Sequence, residues 1–385
     1  MKYCTLAYEN LYFDTYNGEV YLCPWMDPKI SCIGNILEDD LGTLWNSDIA
    51  QKLRDSHTDN SFCYCRPQAC PHIQNNDFTE ITDENQYKEL TKTREYPTIL
   101  NLAYDFVCNQ SCETCRPEVF IPPKDYAKKI EKLQKRIAPY LDKAKKISAS
   151  GHGDPFASPY MMKLLENLHP EDPELCLQLE TNGVFFDEEH WKRIEHLKDF
   201  KIDTLVTVNS YNKFTYEHIS RGGNFEKLMK NLEFISELRK KNHINNLMFA
   251  LVTQDRNFRE IPSFIETTFN NYCVDKILLR PVYQWGTMPE KAFWFKDVLN
   301  PKHPYHAEYL EILQHPALKD KRVYNFGGEM DHPARDFYIE ETCQCCCQEE
   351  KPKVSPAKNF VAHAISSLIP CSEIRRNVRN KLLKG

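Results

Sequence analysis

The sequence predicts an α/β fold built on a parallel sheet or barrel. Short apolar, β-branched runs alternate with helical patterns between residues 98 and about 282, and several of the runs stop at glycine or asparagine turns. The cysteines are also unevenly placed: most of the 16 in this 385-residue chain fall near the two ends or in one loop. This divides the chain into a small cysteine-rich module at 1–92, the alternating segment at 93–300, and an extension at 301–385.

In the first segment, residues 11–16 and 19–22 are aromatic-rich strand runs joined by Asn17 and Gly18. Both turn residues accept positive φ, which predicts a two-residue hairpin that brings Cys4 and Cys23 into one neighbourhood. Apolar residues at 33–37 and 41–45 follow, Ser47 caps a helix reaching Arg54, and Cys63, Cys65 and Cys70 close the segment, with Cys32 as an extra thiol. In the second segment, residues 98–103 form a strand that runs into Cys108, Cys112 and Cys115. A helix follows, with Tyr126, Ile130, Leu133 and Ile137 on one face. Residues 146–155 read as a strand ending in a glycine turn, where missing side chains let backbone groups approach a ligand. Residues 175–183 form an apolar strand stopped by Asn182 and Gly183, and residues 204–209 form a β-branched run. A long helix then carries Phe225, Leu228, Leu232, Ile235 and Leu238 on one face. Strands at 246–253 and 275–280 bring the total to six.

Cys108, Cys112 and Cys115 are separated by three and two residues, so their thiolates can wrap one corner of a cubane iron–sulfur cluster. Four-iron clusters are normally held by four cysteines, so three leave one iron open to a small molecule. Zinc is the alternative, although zinc sites need four ligands and commonly use paired Cys-x-x-Cys knuckles. For the amino-terminal cysteines, zinc or disulfides are the alternatives. Disulfides are disfavoured because the first residues lack the apolar core and cleavage site of a secretory signal, and a reducing cytosol keeps thiols free. Cys176 and Cys273 sit in apolar patterns and read as core residues, whereas Cys371 has no evident partner.

The spacing of Cys108, Cys112 and Cys115 resembles the signature of the radical S-adenosylmethionine (SAM) superfamily. The other landmarks follow in that family's order. The resemblance selects a partial (β/α)6 TIM-like barrel with its site at the carboxyl ends of the strands, the open iron being chelated by the amino and carboxylate groups of SAM. Gly151, Gly153, Asp154 and Pro155 resemble the turn that binds the SAM amino group. Asn182 lies in a matching Thr-Asn-Gly stop, Thr207 and Asn209 match the residues that reach the ribose, and Arg221 matches a residue placed to pair with a carboxylate. The chain departs from the pattern at three positions. His152 stands where the first glycine is usual, Asp154 replaces glutamate, and Thr114 takes the place of an aromatic that packs on the adenine. The amino-terminal segment resembles the opening of the SPASM auxiliary-cluster domain, with thirteen residues between Cys4 and Gly18 and four between Gly18 and Cys23. That likeness implies Cys4, Cys23, Cys63, Cys65 and Cys70 as auxiliary-cluster ligands. The module normally follows the barrel but here precedes it, and Cys343, Cys345, Cys346 and Cys347 are candidates to complete it from the far end.

The resemblance implies an enzyme that cleaves SAM reductively to a 5′-deoxyadenosyl radical and abstracts hydrogen from a peptide or carbohydrate. Oxidation, epimerisation and cross-linking are the outcomes this favours, with flavodoxin or ferredoxin as electron donor. The rival class is a non-enzymatic zinc or iron–sulfur scaffold. The sequence assigns no general acid or base; Arg280 and Tyr283 merely lie near the last strand end. With 41% hydrophobic and 27% charged residues there is no apolar run near the membrane-spanning length, and a net charge of −6 argues against nucleic acid as a partner. A cytoplasmic enzyme is expected. After a short linker at Lys351, the last 25 residues place Ile365, Leu368, Ile374, Val378 and Leu382 beside Arg375, Arg376 and Arg379. This basic amphipathic tail suits either peripheral membrane contact or docking on its own protein, and its wording resembles the tails of bacterial cell-surface glycan enzymes.

Overall fold

The computed structural model describes residues 2–325 apart from 60, 68, 69, 75–77, 81, 82, 84–88, 90, 91, 93, 150 and 285. Cys343, Cys345, Cys346, Cys347, Cys371 and the basic tail lie outside the described residues.

Ten strands form one sheet: β1 Asn10–Phe13, β2 Glu19–Tyr21, β3 Cys32–Asn35, β4 Ile99–Leu102, β5 Lys146–Ala149, β6 Cys176–Thr181, β7 Lys201–Thr207, β8 Asn246–Thr253, β9 Lys276–Pro281 and β10 Val323–Asn325. Their order is β10-β9-β8-β7-β6-β5-β4-β1-β2-β3, so among the described residues β10 and β3 are the edges and the sheet stays open, as in a partial barrel. All pairings from β1 to β10 along that order are parallel, and only β1–β2 and β2–β3 are antiparallel. The six strands read from the sequence are β4 to β9. The structure adds a parallel strand at each flank. β1 pairs with β4 in the register Tyr12↔Asn101 and Phe13↔Leu102, so the amino-terminal hairpin extends the same sheet.

Period-two alternation sets the two faces. In β6, Leu177 and Leu179 are buried under the helices while Gln178 and Glu180 point the other way; in β9, Ile277 and Leu279 are buried while Arg280 is on the opposite face. Glu180 Oε1 lies 2.5 Å from Arg280 Nη1 although β7 and β8 run between their strands. Neighbouring strands are about 4.8 Å apart, so a flat sheet would separate β6 and β9 by roughly 14 Å. The sheet therefore curls, and this polar face is its concave side.

The helices follow their sequence signals. Tyr126, Ile130, Leu133 and Ile137 of helix Tyr126–Leu141 are all fully buried. Ser47 caps helix Asp48–Thr58 by accepting from Ala50 N, and the helix continues one turn past Arg54. Asn224 caps Phe225–Lys240 in the same way. The hairpin differs from the two-residue turn expected. Its strands stop at Phe13 and resume at Glu19, and of the two turn residues only Gly18 takes a positive φ, +94°. A Cβ at Gly18 would run into Asn35 Oδ1, so the loop folds down onto β3, and the hairpin closes with Asp14 N donating to Glu19 O at 3.4 Å. Among the described residues, no helix is long and apolar enough to cross a membrane.

Candidate functional site

The chain leaves β4 at the carboxyl edge of the sheet and is pinned at once. Asp105 Oδ1 accepts from Val107 N at 3.0 Å and from Tyr126 OH at 2.5 Å, and the same hydroxyl accepts from Phe106 N at 2.8 Å. The tricysteine loop follows, with Cys108 and Cys112 half-buried and Cys115 exposed. Helix-end backbone holds it from outside: Ser111 N donates to Arg221 O and Glu113 N to Ile219 O. Arg221 completes the clamp, its Nε donating to Ser111 O at 2.9 Å and its Nη2 to Arg116 O at 3.1 Å. Expected to pair with a carboxylate, Arg221 is here committed to carbonyls of the cysteine loop. Cys112 Sγ donates to Gln110 Oε1 at 3.2 Å, and Gln110 Nε2 in turn donates to Tyr216 OH. Burial pushes both the Cys108 and Cys112 thiols up to about 12, helped by the Asp154 charge at Cys108 and the Cys115 thiol at Cys112. Deprotonating them calls for a cation at the sulfurs, as a metal site supplies.

The glycine turn after β5 lies against this loop. A Cβ on Gly153 would fall 2.5 Å from Val107 O and 2.6 Å from Asp105 O, and one on Gly151, whose φ is +116°, would strike Ala103. Only glycine permits that approach. Asp154 N donates to Val107 O at 2.9 Å. The Asp154 carboxylate is buried and accepts four hydrogen bonds, from Thr181 Oγ1, Asn182 N, Phe156 N and Ala157 N. Burial nonetheless pushes its carboxyl above the usual range. Asp154 thus bolts the turn to the end of β6, where Asn182 Nδ2 reaches Asn109 Oδ1 at 2.9 Å and Cys108 Sγ at 3.7 Å. Pro155 is buried behind the turn. Thr207 sits half-buried at the end of β7, while Asn209 is buried in a left-handed conformation and braces β8, accepting from Val252 N and donating to Ser220 Oγ. The structure thus brings Gly153, Asp154 and Asn182 to the cysteine loop, and gives Asn209 and Arg221 bracing bonds as well.

Several contacting residues escaped sequence reading. Glu113, between Cys112 and Thr114, pairs at 2.9 Å with the buried Lys296, which also meets Asp255 at 3.2 Å. Glu180 carries a signal in retrospect, since it directly precedes the Thr-Asn-Gly stop; Lys296 carries none, lying 183 positions from Glu113.

The amino-terminal thiols converge from distant segments. Burial raises the Cys23 thiol, with Cys4, Cys65 and Cys70 acting on it as neighbours; burial pushes Cys65 up to about 12, with Cys70, Cys4 and Cys63 beside it. Cys32 faces Gly34 O and Tyr21 instead. His57 closes the group, its Nδ1 3.3 Å from Cys4 O and its Nε2 3.8 Å from Cys65 Sγ. Among the described residues, no three His, Cys, Asp or Glu side chains are set around one point as a bound metal ion would place them, in this group or in the tricysteine loop.

An open parallel sheet with a tricysteine loop over the carboxyl ends of its strands has the plan of an α/β enzyme whose chemistry sits at those ends. Two family matches agree with that plan: residues 106–266 match the radical SAM superfamily, and residues 4–71 match SPASM, an iron–sulfur cluster-binding domain. The chain carries a radical SAM domain preceded by a SPASM domain, and is a radical SAM enzyme. A four-iron cluster with SAM, and an auxiliary iron–sulfur cluster, are the cofactors these domains imply. Over 242 residues the chain is 24% identical to two probable GTP 3′,8-cyclases of Methanococcus maripaludis, covering 62% of this chain and 76% of theirs. Among solved structures it is similar to Streptococcus suis SuiB bound to S-adenosylmethionine, at 13% identity and a TM-score of 0.39, covering 74% of this chain and 64% of that one. The chain therefore spans less than two thirds of SuiB.

Proposed function

We propose that Cys108, Cys112 and Cys115 hold the SAM-cleaving cluster, and that Gly151, Gly153, Asp154, Pro155, Asn182, Thr207 and Asn209 surround SAM. We assign Cys4, Cys23, Cys65 and Cys70 to the auxiliary cluster, with Cys63 next in line. The observation that carries this reading is the convergence of three otherwise separate segments, the tricysteine loop, the Gly153–Asp154 turn and Asn182, through direct hydrogen bonds. The donor set suits the group: the thiols are soft and clustered, and Asn109 Nδ2 is buried beside Cys108 without a partner among the described residues, a donor ready for a sulfide or cofactor atom. When bound, the cluster and SAM supply a 5′-deoxyadenosyl radical.

The chain's own residues do the positioning. Arg221 and Asp105 hold the ligand loop, Asp154 couples the turn to β6, and the curled sheet encloses the substrate away from water. Its concave face carries Asn101, Ser148, Gln178, Glu180, Asp203 and Arg280, with Ser148 Oγ donating to Gln178 Oε1 at 3.1 Å. A face so rich in hydrogen-bonding groups suits hydrogen abstraction from a polar substrate, a peptide or a carbohydrate. Flavodoxin or ferredoxin is the proposed electron donor and the cytoplasm the proposed compartment. Peripheral membrane contact through the tail remains a proposal on residues outside those described. The functional division stays at 1–92, 93–300 and 301–385, with β1 to β3 joining the barrel sheet. Anaerobic reconstitution with iron and sulfide tests the reading: dithionite and SAM should yield 5′-deoxyadenosine, and its absence from folded, iron-loaded protein would contradict it.

A further inference from the structure

His152 stands where the family's turn usually has glycine, so its side chain is an addition, and the structure gives that side chain partners on two sides. Its ring stacks on Phe106, with centroids 4.4 Å apart and planes 11° from parallel. Its Nε2 donates to Asp14 Oδ1 at 3.0 Å. The first partner opens the tricysteine loop; the second belongs to the amino-terminal module. The backbone of His152 joins in, since its carbonyl accepts from Arg116 Nη2, and Arg116 Nη1 also donates to Phe106 O at 2.8 Å.

Asp14 is itself well placed to act as an anchor. Tyr12 OH donates to the same oxygen at 2.8 Å. Burial alone would raise the Asp14 carboxyl, but the bonds from His152 and Tyr12 outweigh it and hold the group below its usual range. The parallel register Phe13↔Leu102 fixes the residue before Asp14 against the last residue of β4, so Asp14 cannot drift relative to the cysteine loop without breaking the ladder. Two residues on, Tyr16 packs edge-on against the same Phe106, at 5.7 Å and 90°, and against Tyr126 at 4.8 Å. Phe106 thus touches His152 from the turn and Tyr16 from the module, and residues 14–16 grip both the turn and the entrance to the cysteine loop.

We propose that Asp14 and His152 form a positioning pair that makes the amino-terminal module part of the SAM site. The pair fixes the height of the 151–155 turn over the cysteine loop, so SAM affinity depends on a module otherwise concerned with an auxiliary cluster. Neither residue touches the reacting atoms; both act through the turn. The inference rests on the reading that this turn binds SAM.

The test is equilibrium binding of SAM to the reconstituted full chain, with iron counted in every sample. His152→Ala and Asp14→Asn should each weaken SAM binding by about three- to tenfold, the range of one net hydrogen bond between partly exposed groups. Iron content should stay at the wild-type value, and the melting temperature should fall by no more than a few degrees. The double variant should be no weaker than the weaker single variant, because both remove one link, and His152→Gln, which keeps a side-chain N–H, should recover most of the affinity. Single variants within twofold of wild type, or losses that multiply in the double variant, would overturn the proposal. Failure of the wild type itself to bind SAM would instead overturn the reading of the turn.

Discussion

Cys108, Cys112 and Cys115 lie within eight consecutive residues of one loop, whereas Cys4, Cys23, Cys65 and Cys70 arrive from segments up to 66 positions apart. The first group is held by backbone bonds that do not involve sulfur: Arg221 to the carbonyls of Ser111 and Arg116, and Asp154 N to Val107 O. The second is held by the folding of the module, with Cys65 on an isolated bridge to Met26 and Cys70 N donating to Arg66 O. On the proposed assignment, the first loop is braced independently of its cluster, whereas in the module the cluster would close long loops and so return binding free energy as folding free energy.

The comparison sets the order of expected effects. Cys23→Ser should be the most damaging to the fold. It removes a buried thiol at the centre of the amino-terminal group, so the auxiliary iron and several degrees of melting temperature should go together, whereas Cys115→Ser, at an exposed position, should lose loop iron with little change in melting. Equal melting losses in the two would erase the distinction. Next, Asp154→Asn sets an amide against donors that now meet a carboxylate. It should cost about 2–3 kcal/mol of stability in urea unfolding and release the turn. A smaller effect is expected for Arg221→Lys, which keeps the charge but not the fork that reaches two carbonyls; under limiting iron, occupancy of the loop should fall while the auxiliary iron is retained.

The smallest effect lies far from either cysteine group. Asp275 is bound by Arg239 Nε at 2.7 Å and Nη2 at 2.8 Å. Burial alone would raise its carboxyl, but these bonds, with one from Leu247 N, hold it below the usual range. A depressed carboxyl contributes stability that is fully present above its unfolded value of about 4 and is lost as pH falls through the folded value. Asp275→Asn should therefore cost about 1 kcal/mol or less at neutral pH and flatten the acid limb of the stability profile. An unchanged acid limb would remove Asp275 from the account.

The barrel was legible in the sequence because its signals are local. Each of β4 to β9 is a short apolar run, and the cysteine loop, glycine turn and Asn182–Gly183 stop are contiguous motifs. What escaped was set by tertiary placement. The parallel pairing of β1 with β4 joins residues 89 positions apart, and no local pattern separates a parallel neighbour from an independent hairpin. Arg221 was read for its charge, but the nearness of three loop carbonyls decides its role. Asn17 can adopt positive φ yet does not, because packing of Gly18 on Asn35 and Leu37 selects a longer loop.

On the proposed assignment, the two cysteine groups hold separate clusters and the loop group alone cleaves SAM. The most direct measurement takes reconstituted wild type and a Cys108→Ala, Cys112→Ala, Cys115→Ala variant through iron analysis and a dithionite-driven 5′-deoxyadenosine assay. Product is expected from the wild type only, with about half the iron remaining in the variant, as two four-iron clusters would give. Zinc in place of iron, or a well-folded, iron-loaded wild type that makes no 5′-deoxyadenosine, would contradict that assignment.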